Sequence, residues 1–311
     1  MQLPDDFYKP FDITYKEITD AIETHRANIP YPVTAKWLNC LVDGFKKKRN
    51  EWPQNPLQEA EPLYAYMKEA SRLRSRLLRL TACVYLHIAF DLPAVLADEW
   101  PGKGVWNDGP DEEHGEDAYF ALGNIFPEVL YRVSLDFEVT GISGFLLRFL
   151  PSDATVALSR WVMLLRNAAW RHGRRLNNVW VDPDQRSMVQ SKMIEAMTAA
   201  LSHVKNSKPW KAGLLAPPDS AIAGMAVIAF TSPGISYFSE NTNVYLLVSV
   251  VGNLLIMLYF VWSHWSEQYR KELICFIDQF GQNAMDYMEV AITDPKSLDE
   301  YLKKHDPKQT L

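Results

Sequence analysis

Nineteen consecutive residues, Val244 to Trp262, carry no charged side chain. A run of that length, with a mean hydropathy of about 2, has two stable destinations: a lipid bilayer, or the fully buried centre of a large helical core. A second apolar stretch, Ala221 to Phe238, precedes it and is broken by Pro233-Gly234, with the polar residues Ser239 to Asn243 between the two. The pattern predicts an apolar helical hairpin. Tyr237, Phe238 and Tyr245 stand near its turn, and Tyr259, Trp262, Trp265 and Tyr269 near its far end, where membrane interfaces favour aromatic rings. Lys205, Lys208 and Lys211 precede the pair and Arg270 and Lys271 follow it, so a membrane-inserted hairpin would keep both ends cytoplasmic. Ser249 and Asn253 need hydrogen-bond partners in either environment.

The rest of the chain reads as helices of a globular protein. Of 311 residues, 48% are apolar and 23% charged, which argues against general disorder. A formal net charge of -6 leaves no electrostatic footprint for nucleic acid. Cys40, Cys83 and Cys275 lie far apart among apolar neighbours, a pattern of buried free thiols rather than of a disulfide framework or zinc site. Met1 to Pro10 has no apolar stretch of the kind a secretory signal needs.

Helical spacing places amphipathic helices over residues 11–29 and 34–48, the second built on Trp37, Leu38, Leu41, Val42 and Phe45. A long helix is expected from Leu63 to Ala89, where Leu63, Met67, Ala70, Leu73, Leu77, Leu80 and Val84 recur at intervals of three and four. Pro101 to Asp117 dissolves into Gly, Pro and acids and reads as a surface loop. Helices resume over 118–131, 154–176 and 187–204, and a final amphipathic helix carries Ile277, Phe280, Ala284 and Met288. No sustained two-residue alternation marks a strand. The expected fold is all-α: an irregular helical bundle over 1–212, the hairpin over 213–265, and an amphipathic helix with a polar tail over 266–311. The last helix wants a partner for its apolar face, in the same domain or in another subunit.

Two strings are candidates for chemistry. In Leu86-His87-Ile88-Ala89-Phe90-Asp91-Leu92-Pro93, His87 and Asp91 stand four residues apart on one helix face. Such a pair suits a base with its orienting acid, or two ligands of a metal whose remaining ligands come from elsewhere. The structural alternative makes Asp91 the N-cap of a helix beginning Leu92-Pro93, and His87 a satisfied core histidine. In the second string, Trp161 to Trp170, Arg166 interrupts a strongly apolar helix and needs a partner such as Asp91 or another carboxylate. Trp161, Asn167 and Trp170 are candidates to line a substrate pocket, or plain core. Arg171, His172, Arg174 and Arg175 read as a solvated basic cluster, and the acids from Asp108 to Asp117 as a solvated loop without EF-hand or zincin spacing. No Walker loop, nucleophile elbow or dinucleotide fingerprint occurs.

These two strings resemble a bacterial family of helical proteins called domain of unknown function 5995. Its members share a helix leading into an H-I-N-x-D-L-P type string and a later W-x4-R-D-A-A-W type string. The resemblance covers about residues 60 to 180, with counterparts at His87 to Pro93 and Trp161 to Trp170. Ala89 stands where the family has a polar residue, and Asn167 where it has an acid. The resemblance implies a site at His87, Asp91 and Arg166 without naming a reaction, cofactor or metal.

Two functional readings follow from the residues. One is an enzyme or pocket, a hydrolase among the options, that takes an apolar small molecule or lipid, with His87 as base or ligand, Asp91 orienting it and Arg166 holding an anionic group. The other is a non-catalytic membrane-associated or assembly protein, with a membrane or a second copy as partner. Either places the main domain in the cytoplasm, free or at a membrane.

Overall fold

A computed structural model of the chain describes residues 16–24 without 18, 36–47 without 45, 62–73, 76–101, 112–125, 153–179, 182–207, 252 and 270–307. All the regular structure among these residues is helical, with no strand. The hairpin expected over Ala221 to Trp262 lies outside the described residues, apart from a single helical position at Gly252.

In chain order a helical segment over residues 16–24, residue 18 aside, is followed by α1 (36–44), α2 (Pro62–Ser71) and α3 (Arg76–Leu86). A π turn over His87–Asp91 follows, and the same helix continues as α4 (Leu92–Asp98). Then come α5 (Glu112–Ala121) with a 3-10 turn at Leu122–Ile125, α6 (Asp153–Val179), α7 (Pro183–Ser207), α8 (270–293) and α9 (Leu298–Lys304).

The single helix expected from Leu63 to Ala89 is in fact two. α2 closes at Ser71, where the Leu73 amide donates to the Ala70 carbonyl at 3.1 Å, and α3 begins at Arg76 and runs on past the expected end to Asp98. No Gly or Pro marks the break, and the apolar stripe continues across it. What sets it is tertiary: the Tyr66 hydroxyl donates to the Ala82 carbonyl at 2.6 Å, which folds α2 back along α3. Part of the expected acidic loop is also helix. Glu112 and Glu113 occupy the first turn of α5, where carboxylates complement the exposed amides of a helix N-terminus.

Leu78–Asp98 is the one helix among the described residues long and apolar enough to cross a bilayer, with a mean hydropathy of 1.7. Inside the protein 89% of its apolar window is buried, so it behaves as a core helix. It packs on α6 with a tight contact at Gly173, where a Cβ would fall 2.6 Å from Leu96 and 3.4 Å from the Pro93 carbonyl oxygen. Only hydrogen fits there. α7 packs along α2, and α9 returns onto α7.

α8 packs in the same core as the helices before it. Leu273, Phe276, Ile277, Phe280, Ala284 and Met288 are all buried. Its seat on α6 is parallel and clamped at two levels. Trp161 Nε1 donates to Asp278 at 2.8 Å, and His172 Nε2 meets Glu289 at 3.0 Å, with a sequence separation of 117 in both cases. Equal separations mean that the two helices run in register over three turns, about 16 Å at 1.5 Å per residue. Between the clamps, Gly281 lets the Trp161 ring lie directly on the α8 backbone.

Candidate functional site

The π turn is where the sequence departs from regular helix, and it carries His87 and Asp91. The Leu92 amide donates to the His87 carbonyl, five residues back instead of four. Asp91 has ordinary helical backbone angles, φ -73 and ψ -41, and its carboxylate caps no amide. The N-cap role expected as the structural alternative is therefore absent. Instead its Oδ2 bonds His87 Nδ1. Both side chains are buried, His87 at 1% and Asp91 at 2% exposure, within the apolar stretch from Ala82 to Ala97.

This arrangement has a definite chemical direction. A carboxylate can only accept, so it places the imidazole proton on Nδ1 and leaves Nε2 as the basic nitrogen. Burial strengthens the bond electrostatically and fixes the ring, as expected of an acid that orients a base. The same two groups can also serve as a purely structural bond inside a core. Among the described residues no group of three or more His, Cys, Asp or Glu side chains is placed to hold a metal.

Arg166 is also buried, at 2% exposure, but its neighbours are different. The guanidinium lies 3.8 Å from the centroid of the Tyr119 ring, whose hydroxyl donates to the Arg166 carbonyl at 2.8 Å. α5 and its 3-10 turn thus wrap the arginine, and Gly123 leaves room for it: a Cβ there would fall 2.8 Å from a guanidinium nitrogen. Burial pulls the guanidinium below its ordinary pKa, with Tyr119 opposing, and the same burial pushes the Tyr119 hydroxyl up. Arg166 thus sits with Tyr119 and the 3-10 turn, whereas His87 is bonded to Asp91. Seven residues, about 10 Å along α6, separate Arg166 from Gly173, where α6 meets Pro93 and Leu96.

The other residues singled out from the second string occupy three separate settings. Trp170 is the centre of an aromatic cluster, with ring centroids 4.7 Å from Trp100, 5.1 Å from Tyr119 and 6.3 Å from Trp37. Through Tyr119 it shares a neighbourhood with Arg166. Trp161 faces α8 instead, bonded to Asp278 and flanked by Arg160. Asn167 is half-buried, and its Oδ1 is enclosed without a hydrogen-bond partner among the described residues.

A second polar constellation was missed by sequence reasoning. His172, expected in a solvated cluster, is buried at 2% exposure. It and Arg175 both hold Glu289 of α8, whose carboxyl is pulled down to about 2, first by the hydrogen bond from His172 and then by Arg175. Arg171 and Arg174 are exposed as expected. The signal for His172 was present in the periodicity. Leu158, Val162, Leu165, Ala169, His172 and Leu176 recur at four and three, which puts the histidine on the buried stripe.

Comparison with protein-family models, with curated proteins and with solved structures finds no match to this chain.

Proposed function

We propose that the protein is a helical enzyme, or enzyme-like binding protein, in which His87 acts as a base through Nε2 and Asp91 holds it in the required tautomer. The observation that carries this reading is the buried imidazole–carboxylate bond on a π turn within the apolar stretch from Ala82 to Ala97. π turns inside α-helices are frequent at functional sites. A buried polar pair is also an expensive way to hold a core that apolar side chains would hold as well. The substrate class is an apolar small molecule or lipid, in keeping with the apolar helices around the pair. Arg166, set in its own aromatic surround, is the candidate for an anionic group on that substrate. Trp170, beside Tyr119, is the candidate for its wall, whereas Trp161 is committed to Asp278 of α8. Kinship with the domain of unknown function 5995 family belongs to the same proposal, as does an irregular bundle bearing an apolar hairpin over residues 213–265.

A base of this kind contributes about 10² to 10⁴ in rate. The test is turnover of a panel of fatty-acyl esters by the purified full chain and by His87→Gln. Cleavage above buffer that falls by that factor, with an unchanged melting curve, supports the reading. Equal turnover in a folded His87→Gln protein would overturn it.

The second reading, a membrane-associated or assembly protein with its main domain in the cytoplasm, rests on the uncharged run Val244 to Trp262. Recovery in the detergent-soluble membrane fraction favours it. A monodisperse monomer in plain buffer removes its support.

A further inference from the structure

Five of the described helix ends meet at one pole of the bundle. α6 and α8 run parallel with an offset of 117 residues, so Asp153 and Arg270, their first residues, lie level with each other. α7 runs the opposite way. His203 Nδ1 is 3.0 Å from the Tyr287 hydroxyl, and Ser207, farther along α7, is 3.5 Å from Gln279, nearer the start of α8. The last turn of α7 also lies beside the last turn of α2, where Lys205 Nζ donates to the Glu69 carboxylate at 2.6 Å and to the Glu69 carbonyl at 3.2 Å. The reversal into α3 follows at once. The chain between Ser207 and Arg270 therefore leaves the bundle and re-enters it at the same pole, and that stretch carries the uncharged run Val244 to Trp262.

Positive charge collects at this pole. α2 closes on Lys68, Glu69 and Arg72, and α3 opens with Arg76 and Arg79. The first turns of α6 bring Asp153 and Arg160, and α7 ends with Lys205. α8 adds Arg270 and Lys271, followed by Glu272 and Asp278. Bases outnumber acids there by two to one, in a chain whose net charge is -6. Arg72 pairs with Glu69 and Arg160 with Asp278, yet the two arginine side chains are 58% and 59% exposed. Exposed pairs of this kind are weak, so both guanidiniums can still meet an external anion. Among them stands Val156, at 65% the most exposed large apolar side chain among the described residues.

We propose that this pole docks on an anionic lipid bilayer, with Arg72, Arg160 and Lys271 facing the headgroups. The sequence places cations only next to the uncharged run, whereas the fold adds Arg72, Arg79 and Arg160 from remote parts of the chain to the same surface. Cations around an exposed apolar side chain suit a negatively charged membrane surface, which attracts each basic residue held near it. The proposal rests on the reading that the chain meets a membrane, and adds which end faces it and which lipids it prefers.

The test is co-sedimentation of the purified full chain with vesicles of phosphatidylcholine alone, and of phosphatidylcholine mixed equally with phosphatidylserine. Arg72→Gln/Arg160→Gln/Lys271→Gln removes three charges from the pole. Lys296→Gln/Lys303→Gln/Lys304→Gln removes three exposed charges at the far end, where Lys192 holds Asp299 of α9 at 2.5 Å. Wild type should prefer the mixed vesicles and release from them as salt is added. Each charge lost from the pole should weaken that binding about fivefold, and all three about 10², with the far-end variant unchanged. Equal loss in the two variants overturns the assignment of this pole. So does the absence of binding to either vesicle. Binding to both vesicles alike, whatever the salt, leaves the membrane reading standing and overturns the pole. Salt dependence is read on the unaltered chain, so it decides the matter even where the pole variant does not fold. Self-association in plain buffer that the pole variant abolishes would make a second copy the occupant and overturn the lipid assignment.

Discussion

Gly281→Ala should destabilise this protein, although the same change in an ordinary buried helix position raises stability. Replacing a helix-interior glycine by alanine ordinarily gains about 1 kcal/mol from reduced backbone freedom. At Gly281 the new Cβ would fall 2.3 Å from one Trp161 ring carbon and 2.6 Å from two more. A fused ring cannot yield at those atoms by changing a terminal torsion, so the whole indole must shift or α8 must move off α6. Overpacking of this kind costs about 1–3 kcal/mol. Any shift also lengthens the bond from Trp161 Nε1 to Asp278, now 2.8 Å, and a hydrogen bond to a charged group contributes about 1.5–3 kcal/mol. The balance is a net loss of about 2–4 kcal/mol. The assay is urea unfolding of Gly281→Ala, of Trp161→Ala and of the double variant. In the Trp161→Ala background the ring is gone, and the second change should become neutral or favourable, a coupling of at least 1 kcal/mol. If Gly281→Ala alone leaves stability equal to wild type or higher, the close parallel seating of α8 on α6 is wrong.

Two further perturbations test the same core. The carboxyl of Glu289 is held at about 2 in the folded protein, against an ordinary 4.5, by His172 and Arg175. A depressed folded pKa gives stability that is complete above pH 4.5 and is lost as pH falls toward 2. Glu289→Gln should therefore flatten the acid limb of the stability–pH curve measured by denaturant titration, and an unchanged limb refutes the clamp. Tyr66→Phe removes the hydroxyl that closes α2 onto α3 at the Ala82 carbonyl, and should cost about 0.5–1.5 kcal/mol in the same assay because a buried hydrogen bond is lost. No measurable loss would mean the break between α2 and α3 has another cause.

The all-α character was legible in the spacing of apolar residues, since the stripes of α6 and α8 repeat at three and four without interruption. The break after Ser71 was not, because the stripe stays in phase across it and a tyrosine 16 residues away from its acceptor makes the reversal. Periodicity reports a face and carries no information about which long-range bond ends a helix. His87 and Asp91 were legible as a pair because four residues place them on one face. Pro93 misled in one respect. It suggested a new helix with Asp91 as cap, whereas the helix continues through a π turn and the carboxylate bonds the histidine. His172 was misjudged from its arginine neighbours, which are exposed one residue before it and two and three residues after it. The partner of Glu289 lies 117 residues away in sequence, beyond the reach of any local pattern.

The most direct measurement is the unfolding free energy of the double variant His87→Leu/Asp91→Leu. A polar pair retained for chemistry at the expense of the core gives way to apolar side chains with unchanged stability, or with a gain of up to about 4 kcal/mol. The account predicts that result together with a fall in turnover of about 10² to 10⁴. A loss of several kcal/mol would instead make the imidazole and carboxylate a structural fastening of the helix, and the function proposed for them would go with it.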